Sequence, residues 1–231
     1  GLPRPRPTRS QLAAAAAMPH ALAMLALCTS CACALSVTLI RHAETEWNRE
    51  GRLQGHKNSD LTERGRAQAQ RMGQAFHREI VDIDTFTLIA SPLTRTRQTA
   101  EIVCDAIGRD HDQIRFDDRL KEISWGDWEG YTRPEIEDRW PGIYDRRRVN
   151  KWEFQPPNGE SYALLSHRVG AWLAEISEDQ NLIVVSHGAA GRVIRGVYGN
   201  MAPGVAIGLT EPQDAFFLLS KGAIQEIPVS L

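Results

Sequence analysis

Two histidines in this chain follow short apolar runs in the same manner. Val37–Ile40 leads into Arg41-His42-Ala43, and Leu182–Val185 leads into Ser186-His187-Gly188. A third run, Leu88–Ala90, leads into Ser91-Pro92-Leu93-Thr94-Arg95. Apolar runs of this length, bounded by polar residues, predict buried strands. In an open parallel sheet, ligands bind beyond the carboxyl ends of the strands. Two imidazoles and two guanidinium groups from distant parts of the chain are therefore expected in one crevice. Arginine presents a rigid, permanently charged fork that matches phosphate oxygens bidentately. A neutral imidazole is a competent nucleophile, and nearby cations lower its pKa towards that state. Its other ring nitrogen needs an acceptor to hold the tautomer. Phosphoryl transfer asks for little beyond positioning, charge neutralisation, a nucleophile and a proton donor. A phosphate-handling site is the expectation.

The charge balance favours a local anion site over a basic surface. The 231 residues carry 27 Lys and Arg against 29 Asp and Glu, a formal charge of −2. Residues 1–35 hold Arg4, Arg6 and Arg9 and no acid, so the remainder carries a formal charge of −5. There is no basic excess to support a nucleic-acid partner. At 42% hydrophobic and 24% charged, the composition is that of a globular protein and excludes a disordered or fibrous chain. A chain of this size buries roughly 70% of its unfolded surface in one core.

The elements that must position the site are legible from residue 36 onward. Strands are predicted at Val37–Ile40, Thr87–Ala90 and Leu182–Val185. Between them lie helical patterns: one capped at Thr62 with Leu61, Met72, Ala75, Phe76 and Ile80 near one face, and one from about Thr94 to Ile107. Two more run from about Ser161 to Ser177 and from about Ala189 to Tyr198. Ala215–Leu219 and Ala223–Ile227 flank Ser220-Lys221-Gly222 and predict a hairpin. Strand–helix alternation implies a three-layer α/β/α fold with a mostly parallel sheet and the hairpin at an edge. Residues 123–160 break the pattern with four of the six Trp, Arg146–Arg148 and Pro156-Pro157, and are expected to form an inserted lid. Cys104 falls in an apolar helical stripe and is expected in the core.

Residues 1–35 are expected to lie outside the domain at 36–231. A basic start, an apolar stretch and Ala32-Cys33-Ala34 have the form of an export signal. A recorded start upstream of the true one, near Leu35, is nevertheless the expectation and leaves a cytoplasmic protein; export is the alternative. Cys28, Cys31 and Cys33 form only a weak metal pattern. No stable membrane partner is expected, because Val37–Ile40 must serve as a strand.

The ordered motifs resemble the histidine phosphatase superfamily, which includes phosphoglycerate mutases. The likeness starts at Thr38-Leu-Ile-Arg-His-Ala-Glu-Thr-Glu-Trp-Asn48 and continues through Leu53-Gln54-Gly55, Leu61-Thr62-x-x-Gly65 and Ser91-Pro92-Leu93-x-Arg95-x-x-Gln98-Thr99-Ala100. It extends to Leu120-x-Glu122, Gly126-x-Trp128-Glu129-Gly130, Pro157-x-Gly159-Glu160-Ser161 and Ser186-His187-Gly188. The resemblance implies that His42 is a nucleophile that becomes phosphohistidine. It places Arg41, Arg95 and His187 around the phosphate, with His187 protonated, and Asn48, Gln54 and Gly188 on the substrate. It makes Glu122 the proton donor of the phosphatase branch, a role suited to a carboxyl beside a phosphate dianion. No metal or other cofactor is implied. Ala43 departs from the family's glycine, which raises the question of loop geometry.

The implied activity is a metal-independent phosphatase acting on a small phosphorylated metabolite. A cofactor-dependent phosphoglycerate mutase is the first rival; the segment 123–156 is shorter than the usual mutase insert, which favours hydrolysis. A silent phospho-ligand binding module retains less support, given both His, both Arg and Glu122. A His/Glu metal hydrolase would show closer ligand spacing. His56, His77, His111 and His167 are expected to have no catalytic part. Arg146–Arg148 reads as a solvated helix face or as a lid meeting extra negative charge, and Trp125 and Trp128 as packing beneath it. Oligomeric state is open.

Overall fold

In the computed structural model, residues 35–80, 83–177 and 179–229 are described. The signal-like segment with Cys28, Cys31 and Cys33 lies outside them. Six strands form one sheet: β1 (Ser36–Arg41), β2 (Thr87–Ala90), β3 (Arg115–Phe116), β4 (Asn181–Ser186), β5 (Ala215–Ser220) and β6 (Ala223–Pro228). Their order is β3-β2-β4-β1-β5-β6. The first four in that order run parallel, and the β5–β6 hairpin adds antiparallel strands at one edge.

The helices are α1 (Glu46–Glu50), α2 (Glu63–Glu79), α3 (Thr94–Ile107), α4 (Arg133–Arg139), α5 (Ile143–Val149), α6 (Tyr162–Ala174), α7 (Gly188–Tyr198) and α8 (Pro203–Ala206). Alternating strand residues serve two cores, as the period of two requires. Ile40, Ile183, Val185 and Phe216 pack with Met72 and Phe76 of α2 and with Val103 and Ile107 of α3. Val37, Leu39, Leu182 and Val184 pack with Leu165 and Val169 of α6 and with Val193 and Ile194 of α7. Cys104 is fully buried in the first of these cores.

Local chemistry explains the element ends. The Thr62 hydroxyl accepts from Gly65 N (2.9 Å) and opens α2; a cap of this kind contributes about 1 kcal/mol. Ser161 does the same for α6 through Leu164 N at 3.2 Å. The helix predicted to Ser177 ends at Ala174. The segment 123–160 is more regular than expected of a lid loop. It holds a 3-10 turn at Gly126–Trp128 and the short helices α4 and α5, α4 being started by a Thr132–Glu135 capping box and Pro134. The two-residue strand β3 and the five-residue α1 are too short to leave a periodic signal.

Candidate active site

The register of the parallel pair sets the centre of the site. Arg41 of β1 lies opposite Ser186 of β4, so His42 and His187 leave adjacent strands side by side. Their ring centroids are 5.3 Å apart at 59°. Both side chains are buried, at 2% and 0% exposure. β2 delivers Ser91 beside them, since Ser91 N donates to Val185 O at 3.0 Å. Arg95 follows in the first turn of α3 and is itself 1% exposed.

His42 is held in one tautomer. Its Nδ1 lies 2.8 Å from the carbonyl of Ala43, an acceptor only, so Nδ1 carries the proton and Nε2 carries the lone pair. Burial, then Arg95 and Arg41, hold its pKa well below the usual histidine value. Ala43 fits without strain. Its φ is not positive, its N–H donates to Thr99 Oγ1 (3.1 Å), and its methyl packs with Leu61 and Ala69.

His187 differs from expectation. Arg95 Nε donates to its Nδ1 (3.2 Å), so the ring offers its one proton from Nε2 to Ser91 Oγ (2.8 Å) and is neutral. Burial and the charges of Arg95, His42, Arg168 and Arg41 push its pKa well below the usual value. Arg41 and Arg95 are therefore the permanent cations of the centre.

Arg95 is locked by three of its five N–H groups, to His187, to Lys57 O (3.1 Å) and to Gly55 O (2.7 Å), leaving two N–H for a ligand. Burial pulls its pKa down to about 10, still cationic at neutral pH. Arg41 Nη1 donates to Glu211 O (2.9 Å), while its buried Nε has no partner. Glu211 itself forms a buried ion pair with Arg195 of α7. Burial pushes the Glu211 carboxyl up to about 7 against the pull of Arg195.

Glu122 reaches the same point from the loop before the segment 123–160. Its Oε1 accepts from Ile123 N (3.0 Å), Ala189 N (3.1 Å) and Ala190 N (3.0 Å), the latter two at the start of α7. Oε2 shares only the Ala189 N–H, at 3.1 Å. A Cβ built on Gly188 would lie 3.6 Å from Arg41 Nε and 3.7 Å from Glu122 Oε2, which puts both groups beside the first residue of α7. The backbone carbonyl of Glu122 accepts from Arg168 Nη2 (2.9 Å) and is contacted by His56 Nε2 (2.8 Å). His56, assigned no catalytic part from sequence, thus helps to place Glu122.

Asn48 sits in the capping box of α1, with Oδ1 accepting from Thr45 N (3.2 Å) and Gln213 Nε2 (3.2 Å). Gln213 Nε2 also donates to His42 O (3.0 Å). Gln54 is 7% exposed, and its Oε1 is buried without a partner. Glu129 ties the loop carrying Gly55 to the segment 123–160, accepting from His56 N (2.9 Å) and Trp125 N (3.1 Å). Glu211, Gln213 and Thr99 support the site through contacts distant in sequence. Only Thr99 lies in a motif singled out above.

Comparison with known proteins bears on the family and the fold. Residues 37–204 match the pattern of the histidine phosphatase superfamily (branch 1). Over 158 residues the chain is 37% identical to phosphoserine phosphatase 1 of Hydrogenobacter thermophilus, covering 66% of this chain and 71% of that protein. Over 163 residues it is 39% identical to "Probable phosphoglycerate mutase GpmB" of Citrobacter koseri, covering 68% and 71%. Among solved structures, Bacillus stearothermophilus YhfR superposes with a TM-score of 0.71 at 28% identity, covering 84% of this chain and 96% of the other. The alpha-ribazole phosphatase of Shigella flexneri gives 0.70 at 25% identity, covering 85% and 96%. With the strand-end histidines, the arginine pair and the sheet order all in place, the chain belongs to the histidine phosphatase superfamily, branch 1.

Proposed function

We propose that the protein is a metal-independent phosphomonoesterase working through phosphohistidine, with a small phosphorylated metabolite as substrate. The observation that carries this reading is the neutral His42, its Nδ1–H tied to Ala43 O, set between Arg41 and Arg95. His42 Nε2 attacks phosphorus as the bond to the ester oxygen breaks, and Glu122 gives a proton from Oε2 to the departing alkoxide. Water then attacks the phosphohistidine, Glu122 takes its proton, and His42 and inorganic phosphate are released. Arg41 and Arg95 neutralise the equatorial oxygens throughout. Asn48, Gln54 and Gly188 border the transferred group. A cytoplasmic location is part of the same reading.

The test is turnover of 4-nitrophenyl phosphate with rapid-quench trapping of phosphoprotein. His42→Ala should lose turnover by at least ~10³-fold and lose the acid-labile, base-stable label. Label retained in that variant assigns the nucleophile elsewhere, and loss of wild-type activity on chelation refutes the metal-free scheme. The mutase reading gains support from a cavity of about 120 Å³ whose lining includes Arg133, Arg147, Lys151 and Arg192, since a mutase must rebind a bisphosphorylated intermediate. Interconversion of 3- and 2-phosphoglycerate assayed beside hydrolysis separates the two.

A further inference from the structure

A proton donor must hold its carboxyl at the leaving oxygen, yet Glu122 stands on chain with little regular structure. Between Asp117 and Trp125 the backbone forms only the 3-10 turn Asp118–Leu120. A side chain is placed no better than the backbone that carries it, and a misplacement of about 1 Å costs on the order of 10²-fold in rate. Support must come from outside the segment.

The motif Pro157-x-Gly159-Glu160-Ser161, which the phosphate pocket does not use, supplies that support. Ser161 caps α6, leaving Glu160 just before the helix and Arg168 within it. The two side chains meet at two points: Arg168 Nε donates to Glu160 Oε1 (2.8 Å) and Nη2 donates to Oε2 (2.9 Å). The same guanidinium reaches two carbonyls of the irregular segment, Nη1 donating to Arg119 O (2.6 Å) and Nη2 to Glu122 O (2.9 Å). Glu160 holds the far side, its Oε2 accepting from Ser124 N (3.3 Å) and its N–H donating to Ser124 O (2.8 Å). A Cβ on Gly159 would lie 2.8 Å from Ser124 O, so this approach requires glycine. The chain is thereby fastened at Arg119, Glu122 and Ser124, on both sides of the acid. Ser186 Oγ, from the strand that delivers His187, donates to Leu120 O (3.0 Å) and ties the same turn to the phosphate site. Four of the five guanidinium N–H groups of Arg168 are engaged, a pattern that needs the planar fork of arginine.

We infer that Arg168 and Glu160 are positioning residues for the proton donor, fixing the backbone at Glu122 so that its Oε2 meets the leaving oxygen. This rests on the phosphatase reading and deepens it.

The test compares benzyl phosphate, whose leaving group is an alkoxide that needs a proton, with 4-nitrophenyl phosphate, whose leaving group does not. In Arg168→Met and in Glu160→Gln, kcat/KM for benzyl phosphate should fall at least ~10-fold, and that for 4-nitrophenyl phosphate by less than about threefold. The first substitution removes a positive charge and the second a negative one. An effect of the altered field would therefore move the ratio of the two esters in opposite directions, whereas lost positioning moves it the same way. Arg168→Met added to Glu122→Gln should lower both esters alike, because no donor remains to be placed. Circular dichroism melts report folding, and Glu160→Gln decides alone should Arg168→Met not fold. Equal losses on the two esters, opposite shifts in the two variants, or a further selective loss in the double variant overturn the inference while the phosphatase reading stands. A Glu122→Gln variant without ester preference, or a wild type that turns over neither ester, removes that reading and the inference together.

Discussion

At the scale of single residues, the two oxygens of Glu122 are unequal. Oε1 accepts three backbone N–H groups and Oε2 shares one of them, so Oε2 has the remaining capacity for a proton. In Glu122→Gln the amide oxygen can keep the Oε1 contacts while proton donation is lost. Alkyl phosphate hydrolysis should then fall by roughly 10²–10⁴-fold, the usual worth of a general acid. Turnover of 4-nitrophenyl phosphate, whose leaving group needs no proton, should fall by less than about tenfold. Steady-state kinetics on both esters checks this, and equal losses would remove Glu122 as the acid.

At the scale of elements, the site depends on loops that buttress the strand ends. Gly55 has φ of +52°, and a Cβ there would sit 2.0 Å from Glu129 Oε1, while its carbonyl anchors Arg95. Gly51 also has positive φ, +72°, but open space around a Cβ. Gly51→Ala should cost only the left-handed backbone penalty of about 1–2 kcal/mol and leave kcat/KM unchanged. Gly55→Ala should add displacement of Glu129 or of the loop, with kcat/KM reduced at least ~10-fold as Arg95 loses its anchor. Urea unfolding and steady-state rates on the two variants separate backbone strain from disturbance of the site. The same logic accounts for the segment 123–160: α4 is short and started by a capping box, α5 is short with no side-chain cap, and Trp128 is buried, stacked on Trp125 at 6.3 Å and on Phe154 at 5.6 Å.

At the scale of the whole molecule, two wholly buried neutral imidazoles make stability depend on pH. His42 and His187 have folded pKa values well below the ordinary 6.5, from burial first and then from Arg95. Below about pH 6.5 the unfolded chain takes up protons that the folded protein refuses. Stability from these residues is therefore complete above pH 6.5 and is lost as pH falls, by about 1.4 kcal/mol per pH unit for each histidine. His42→Gln should reduce the slope of unfolding free energy against pH, between 5 and 6.5, by about one proton's worth. Urea titrations at half-unit pH steps measure it; an unchanged slope would mean that His42 protonates freely in the folded state. Among the described residues, no helix is long and apolar enough to cross a membrane.

The amino-acid sequence by itself determined the layered α/β architecture, the edge hairpin and the convergence of Arg41, His42, Arg95 and His187. These follow from local rules: buried strands are apolar runs, helices repeat near 3.6 residues, and ligands gather at the carboxyl ends of parallel strands. Tertiary structure alone decided what depends on contacts between distant segments. The neutrality of His187 arises because Arg95, 92 residues away in sequence, donates to its Nδ1. Glu211 meets Arg41 across 170 residues, and Gln213 meets His42 across 171. The inward turn of Arg147, between two exposed arginines of the same run, has no local signature. Protonation state and side-chain direction are set by desolvation and by neighbouring charges, and those quantities exist only once the chain has folded.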